Sequence, residues 1–113
     1  VHEVSLVESI VDLVAEEQRK QFFARVRMIR LTVGALGHAE PDALRFCFDA
    51  VTRGTVADGA RLEIQIVPGE GWCAVCRQYA QVSERFAACP VCDHGPMRLT
   101  AGDELRLAEL EVE

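Results

Sequence analysis

Apolar positions recur along the chain with two different periods, and the changes of period divide it into elements. Ser5 with Glu8 three residues on has the spacing of a capping box. Leu6, Ile10, Leu13 and Val14 then repeat at helical spacing, with Val7 and Val11 widening the stripe. Arg19 and Lys20 suit the negative pole of a helix dipole, so the pattern predicts a helix over 5–21. Ile29, Leu31 and Val33 alternate with Arg30 and Thr32, the period of a strand with one buried face, and Gly34 and Gly37 end it. Glu40-Pro41-Asp42 opens a second helix, with proline near the first helical position and acidic groups at the positive end of the dipole. In it Leu44, Cys47, Phe48 and Val51 fall on one face; Gly54 is its predicted C-cap, and Asp58-Gly59 makes a turn. Leu62, Ile64 and Ile66 alternate with Glu63 and Gln65 as a second strand, stopped by Pro68-Gly69. A third strand is predicted over 104–112, but its alternation changes phase. Leu105 and Leu107 share one parity and Leu110 and Val112 the other, which calls for a bulge near Ala108 or burial on both faces.

Two helices with one apolar face each and three strands with one apolar face pack most economically as a helix layer on a small sheet. The expected fold is α+β: a three-stranded mixed sheet with two helices on one face, plus an inserted zinc-ribbon-like module. Residues 1–68 and 101–113 would form the discontinuous α/β domain and 69–100 the inserted one. The two connections, at 68–71 and 100–102, are expected to act as a two-stranded hinge.

The insertion carries the clearest chemistry. Cys73 and Cys76 form one Cys-x-x-Cys pair, and Cys89 and Cys92 another. Each tight turn places two sulfurs on one side of the backbone, and a hairpin between the turns can bring the pairs together as a tetrahedral four-sulfur site. That geometry suits zinc or a single iron, and nothing else in the segment suggests electron transfer. Four thiolates leave no open position for a water nucleophile, so the metal is expected to be structural. The segment is too short for a hydrophobic core of its own, so metal binding should supply most of its folding free energy. His94, after the second pair, could replace or hydrogen-bond a thiolate. Trp72, Tyr79 and Phe86 are expected to pack around the hairpin, and Cys47, on the buried stripe of the second helix, to belong to the core.

Composition narrows the function. Half of the 113 residues are hydrophobic, and 12 Lys and Arg stand against 18 Asp and Glu, a formal net charge of −6. That balance argues against a phosphate-backbone partner. The opening is acidic and amphipathic, with neither a basic n-region nor a long apolar run, so a reduced, cytoplasmic setting with no membrane association is expected. No nucleophile with a base and no phosphate loop is evident, so the chain is not expected to be an enzyme. A zinc-ribbon adaptor or nucleic-acid-binding module, and an iron electron carrier, stay open as alternatives.

His2 stands where a histidine can chelate. The α-amine of Val1, the amide nitrogen of His2 and its imidazole can close adjacent rings in one plane, a nitrogen set that suits Ni(II) or Cu(II), and Glu3 can add an oxygen or a further backbone nitrogen. His38 lies in the loop before the second helix and reads as a solvated loop residue.

The opening Val-His-Glu-Val-Ser-Leu, the stretch Leu44 to Gly54, the Ala57-Asp58-Gly59 turn with Leu62-Glu63 after it, and the sequences Trp72 to Cys76 and Cys89 to Cys92 resemble the HypA family. These are nickel metallochaperones for maturation of NiFe-hydrogenase and, in some organisms, urease. The resemblance spans essentially the whole chain, although the family opens with methionine where this chain has Val1. It implies Ni(II) as exchangeable cargo held through Val1, His2 and Glu3, with Asp42 matching an acidic residue near the nickel site, and a structural zinc held by Cys73, Cys76, Cys89 and Cys92. It further implies the GTPase HypB as partner, a hydrogenase large-subunit precursor as destination, and urease accessory proteins where urease is the client.

Overall fold

The computed structural model describes residues 2–113, the side chain of His2 excepted. The elements are α1 (His2–Gln21), β1 (Val26–Gly34), α2 (Pro41–Thr52), β2 (Arg61–Val67), β3 (Gly69–Cys73), β4 (Gln78–Val82), β5 (Arg98–Ala101) and β6 (Leu105–Val112). They form two three-stranded sheets, ordered β2-β1-β6 and β4-β3-β5. The chain divides into two compact units, one of residues 1–32, 39–65 and 106–113, the other of 33–38 and 66–105.

In the first unit β1 is the central strand, and its Val26, Met28, Ile29 and Leu31 are buried. Arg25 and Glu113 exchange backbone hydrogen bonds, and the Gly34 N–H donates to Glu104 O, so β6 runs antiparallel to β1. The Ala35 N–H donates to Val67 O and the Arg30 guanidinium to the Glu63 carboxylate, so β2, returned by the α2 crossover, runs parallel to β1. The sheet is therefore mixed, as its sequence pattern implies.

Helix α1 begins at His2, three residues before the capping-box signal, so Ser5 lies inside it. Glu3 takes the first turn, where the dipole favours a carboxylate. Val7, Ile10 and Val14 bury themselves, whereas Leu13 stays 48% exposed. The apolar stripe is thus wider than the face α1 presents to its neighbours. Helix α2 packs against α1 and buries Leu44, Phe48 and Thr52 at four-residue intervals. The buried Thr52 hydroxyl donates to Phe48 O at 2.8 Å, so no polar atom is stranded there. Beyond the helix, Gly54 at φ +79° and Gly59 at φ +78° take the left-handed turns that their positions suggest. The polar side of the sheet is crossed by Arg30 on β1, which pairs with Glu63 on β2 at 2.9 Å and Glu109 on β6 at 2.7 Å.

In the second unit β3 lies between its two partners, with Gly69 opposite Val82 and Cys73 opposite Gln78 on β4. The β3–β5 register shifts between Glu70 and Gly71. A Cβ on Gly71 would stand 3.0 Å from Met97 Cβ, so the absence of a side chain lets β3 close on Met97. Trp72 and Tyr79 pack across β3 and β4 with ring centroids 4.8 Å apart and their planes tilted by 59°. Phe86 does not join them: it is 81% exposed, and its expected packing around the hairpin is not found. The buried centre is Cys73, Cys89 and Met97, flanked by Cys76, Ala80, Val82 and Cys92. Few aliphatic carbons are present, so the unit lacks what normally holds a module of this size together.

Candidate metal centre

Two turns with the same local geometry present the four sulfurs. After Cys73 the Arg77 N–H donates to Cys73 O at 2.8 Å, and after Cys89 the Asp93 N–H donates to Cys89 O at the same distance. Both Arg77 and Asp93 are left-handed, at φ 56° and 61°. Within each turn an amide points at the first sulfur: Cys76 N–H to Cys73 Sγ at 3.5 Å, and Val91 N–H to Cys89 Sγ at 3.4 Å. The first turn continues β3, and the Cys89 N–H to His94 O bond of 2.7 Å closes the second turn on itself.

Facing turns interleave their sulfurs. Cys73 Sγ lies 3.5 Å from Cys92 Sγ and Cys76 Sγ 3.6 Å from Cys89 Sγ, and all four sulfurs lie within 4.8 Å of one another. A tetrahedral ion with metal–sulfur bonds of about 2.3 Å separates its ligands by roughly 3.8 Å, so the set fits a four-coordinate thiophilic cation. No disulfide links them.

The turns also sort the thiols electrostatically. Amide donation, first from Cys76, pulls the Cys73 thiol down to about 6, while burial pushes Cys76 up to about 12. Cys89 is lowered in the same way as Cys73, first by the Cys92 N–H. At Cys92 the His94 N–H pulls downward, but burial and the neighbouring Cys73 and Cys89 thiols outweigh it, and the group is raised. One thiol per turn is thus lowered by the amides of its own turn, and a cation bound by all four sulfurs would displace the protons that the other two hold more tightly.

The remaining candidates fall elsewhere. The His94 imidazole Nδ1 lies 3.0 Å from Cys92 O, so the ring meets the backbone carbonyl of the turn. Cys47 is half-buried, and its Sγ donates to Leu44 O at 3.6 Å. His38 is exposed in the loop before α2. Val1 and the His2 side chain lie outside the described residues. Glu3 is placed: its carboxylate accepts the Glu40 N–H at 3.4 Å, tying the start of α1 to the start of α2. Glu40 is the residue whose role its sequence position understates. Its carboxylate caps α2, accepting from the Asp42 and Ala43 N–H groups at 2.9 and 3.2 Å, a role signalled only by an acidic residue immediately before a proline at the first helical position. The Asp42 side chain is 90% exposed and lies 3.4 Å from the Arg45 guanidinium.

The profile of the family described as hydrogenase/urease nickel incorporation, metallochaperone, hypA, matches residues 1–112. The chain belongs to the HypA family. It is 68% identical over 113 residues to the hydrogenase maturation factor HypA of Methylocella silvestris, with all of both chains covered. It is 49% identical over 112 residues to that of Rhizobium leguminosarum bv. viciae, with 99% of each covered. Among solved structures, the solution structure of the Ni metallochaperone HypA from Helicobacter pylori matches 97% of this chain and 96% of its own, with a TM-score of 0.71 at 22% identity. A second HypA solution structure matches 99% and 96%, with a TM-score of 0.75 at 23% identity. The HypA fold is therefore kept at low identity. Among the described residues no helix is long and apolar enough to cross a membrane.

Proposed function

We propose that the chain is a nickel metallochaperone for hydrogenase maturation, binding Ni(II) as exchangeable cargo through Val1, His2 and Glu3 and holding a structural zinc on Cys73, Cys76, Cys89 and Cys92. The observation that carries the reading is the family match from residue 1 to 112, which takes in both the terminal Val-His-Glu and the four-cysteine cluster. A carrier must release its metal, and a site with few side-chain donors suits release. The cysteine site has the opposite character: four thiolates from two turns complete the coordination of zinc and leave no place for exchange or hydrolysis. The contact of Glu3 with the start of α2 supports a nickel site between the two helix beginnings, with Asp42 as its additional carboxylate.

In this reading residues 1–68 and 101–113 form the nickel-binding domain and 69–100 the zinc-binding domain. The protein is a carrier with no catalytic group. It works in the cytoplasm with the GTPase HypB and a hydrogenase large-subunit precursor, or with urease accessory proteins where urease is the client.

The test is a metal titration of untagged protein beside its His2→Ala variant. Wild type should retain one zinc and take up one exchangeable nickel. The variant should keep the zinc, lose the nickel, and support hydrogenase maturation only with excess nickel. Equal nickel uptake by the two proteins would exclude the terminal site. Stripping the zinc with a strong chelator should collapse the signals of β3 to β5 in an NMR spectrum while those of α1 and α2 persist; a second unit that stays folded without metal would contradict the structural role of zinc.

A further inference from the structure

The second sheet turns an aromatic face away from the sulfur cluster. In β3 the buried Gly69, Gly71 and Cys73 alternate with Glu70 and Trp72, so these two side chains stand on the opposite face from the cluster. Strand register extends the face sideways, because Trp72 pairs with Tyr79 on β4 and with Arg98 on β5. In the neighbouring row Glu70 stands opposite Gln81, and its carboxylate accepts the Thr100 hydroxyl at 2.9 Å. Tyr79 is 60% exposed, Arg98 is exposed and Trp72 is half-buried. The two rings touch at a tilt of 59°, which makes one angled apolar surface with no slot between them.

The row is also rich in donors. Trp72 carries an indole N–H, Tyr79 a hydroxyl and Arg98 a guanidinium. Among the described residues the Arg98 guanidinium forms no hydrogen bond or ion pair, whereas the carboxylate of Glu70 is engaged by Thr100. A fitting occupant therefore brings flat apolar rings, acceptors in place of donors, and a negative charge at the Arg98 end.

We propose that this face receives a proline-rich segment of a partner protein in the polyproline II conformation, laid across the strands with its prolines on Trp72 and Tyr79 and a carboxylate on Arg98. Proline has no N–H, so such a segment presents pyrrolidine rings and carbonyl acceptors only, the complement of a donor-bearing aromatic surface. Its conformation is formed before binding, which lowers the ordering cost on a shallow face. The spacing agrees as well. From β4 across β3 to β5 is two inter-strand steps, roughly 9.5 Å, and one turn of polyproline II advances about 9 Å in three residues. A proline over Tyr79 thus sets the residue three positions along, on the same side of the segment, over Arg98. A single-stranded nucleic acid is the poorer match, since base-stacking platforms come with a basic groove that tracks the phosphates. Here one arginine shares the face with Glu70, in a chain of net charge −6.

The probe is a capped peptide of five prolines between two glutamates, which places a carboxylate three residues from a proline in either chain direction. Titrated into isotope-labelled, zinc-loaded full-length protein, it should shift the NMR signals of the Trp72 indole and of the β3, β4 and β5 amides in that row, and leave α1 and α2 unmoved. Tyr79→Ala should weaken binding by about tenfold. Arg98→Gln should weaken it by about threefold, the scale of an exposed ion pair. A peptide with glutamine in place of both glutamates should lose the same factor on wild type and nothing further on Arg98→Gln. Zinc content and circular dichroism of both variants should match wild type, which separates a lost contact from a lost fold. A peptide that leaves the Trp72 indole unshifted, binding that survives Tyr79→Ala, or a glutamine peptide that binds wild type as well as the acidic one would each overturn the proposal. So would oligothymidylate binding the same face more tightly than the peptide.

Discussion

Arg77 and Asp93 occupy the same position in two copies of one turn, each donating its N–H to the carbonyl of the cysteine four residues earlier and each left-handed. The chain thus builds its sulfur cluster by repeating one device, and it does so with side chains where glycine is the residue with no steric cost. For an ordinary L-residue that conformation costs about 1 kcal/mol, whereas aspartate tolerates it better because its short side chain bonds locally. Arg77→Gly should therefore stabilise the metal-loaded protein by about 1 kcal/mol and Asp93→Gly by less, the unfolded-state entropy of glycine taking back a few tenths in each case. Thermal unfolding with metal in excess measures both. A larger gain at Asp93 than at Arg77 would show that the turns are not equivalent in strain.

The loop ends after β1 and after β5 touch backbone to backbone. A Cβ on Gly34 would lie 2.2 Å from the Gly102 carbonyl carbon and 2.3 Å from its oxygen, and Gly102 itself is left-handed at φ +96°. The obstacle is main chain, which cannot rotate away as a side chain can. Gly34→Ala should cost about 3 kcal/mol, the upper range for overpacking. Gly54→Ala is the informative control. There nothing lies within 4 Å, so only the strain of φ +79° is felt, and its loss should be smaller, on the order of 1 kcal/mol. Urea midpoints of the two variants give the comparison, and equal losses would mean that the Gly34 neighbourhood relaxes.

Arg30 orders the polar face of the β2-β1-β6 sheet. Its hydrogen bond holds the Glu63 carboxyl below the usual carboxylate range, with Arg61 adding to the effect, and Glu63, Glu109 and Glu111 together raise Arg30. A carboxyl whose folded pKa lies below its unfolded value of about 4.3 stabilises the fold fully above that value and loses the contribution as pH falls through the folded pKa. Glu63→Gln should therefore be less stable than wild type at pH 6, with the gap closing as the solution is acidified below about pH 4. The exposure of the pair keeps the effect small and sensitive to salt. Urea unfolding of both proteins across that pH range reads the difference directly, and a gap that widens in acid would have the wrong sign for this pairing.

Local pattern reaches a long way in this protein. Alternation at Ile29, Leu31 and Val33, the helical spacing of Leu44 and Phe48, and the paired cysteines each report a local geometry that the side chains themselves require: a pleat with one dry face, a helix with one dry face, a turn with two sulfurs on one side. Where pattern overreached, a neighbour decided. Leu13 belongs to the apolar stripe of α1 yet stays exposed, since burial depends on what lies across from a residue and not on its spacing. Phe86 looks like a packing aromatic and faces solvent for the same reason.

The sequence by itself determined the two helices, the first, second and last strands with their mixed sheet, the pairing of the four cysteines and the phase slip in the last strand, because periodicity and cysteine spacing act over a few residues. Only the tertiary structure decided which sulfurs face each other, that Glu3 meets the Glu40 that caps α2, that Gly34 and Gly102 touch, and that β6 closes the first sheet as an edge strand. Each of these joins residues distant in the chain, and their distances are set by how whole elements pack, which no local pattern encodes.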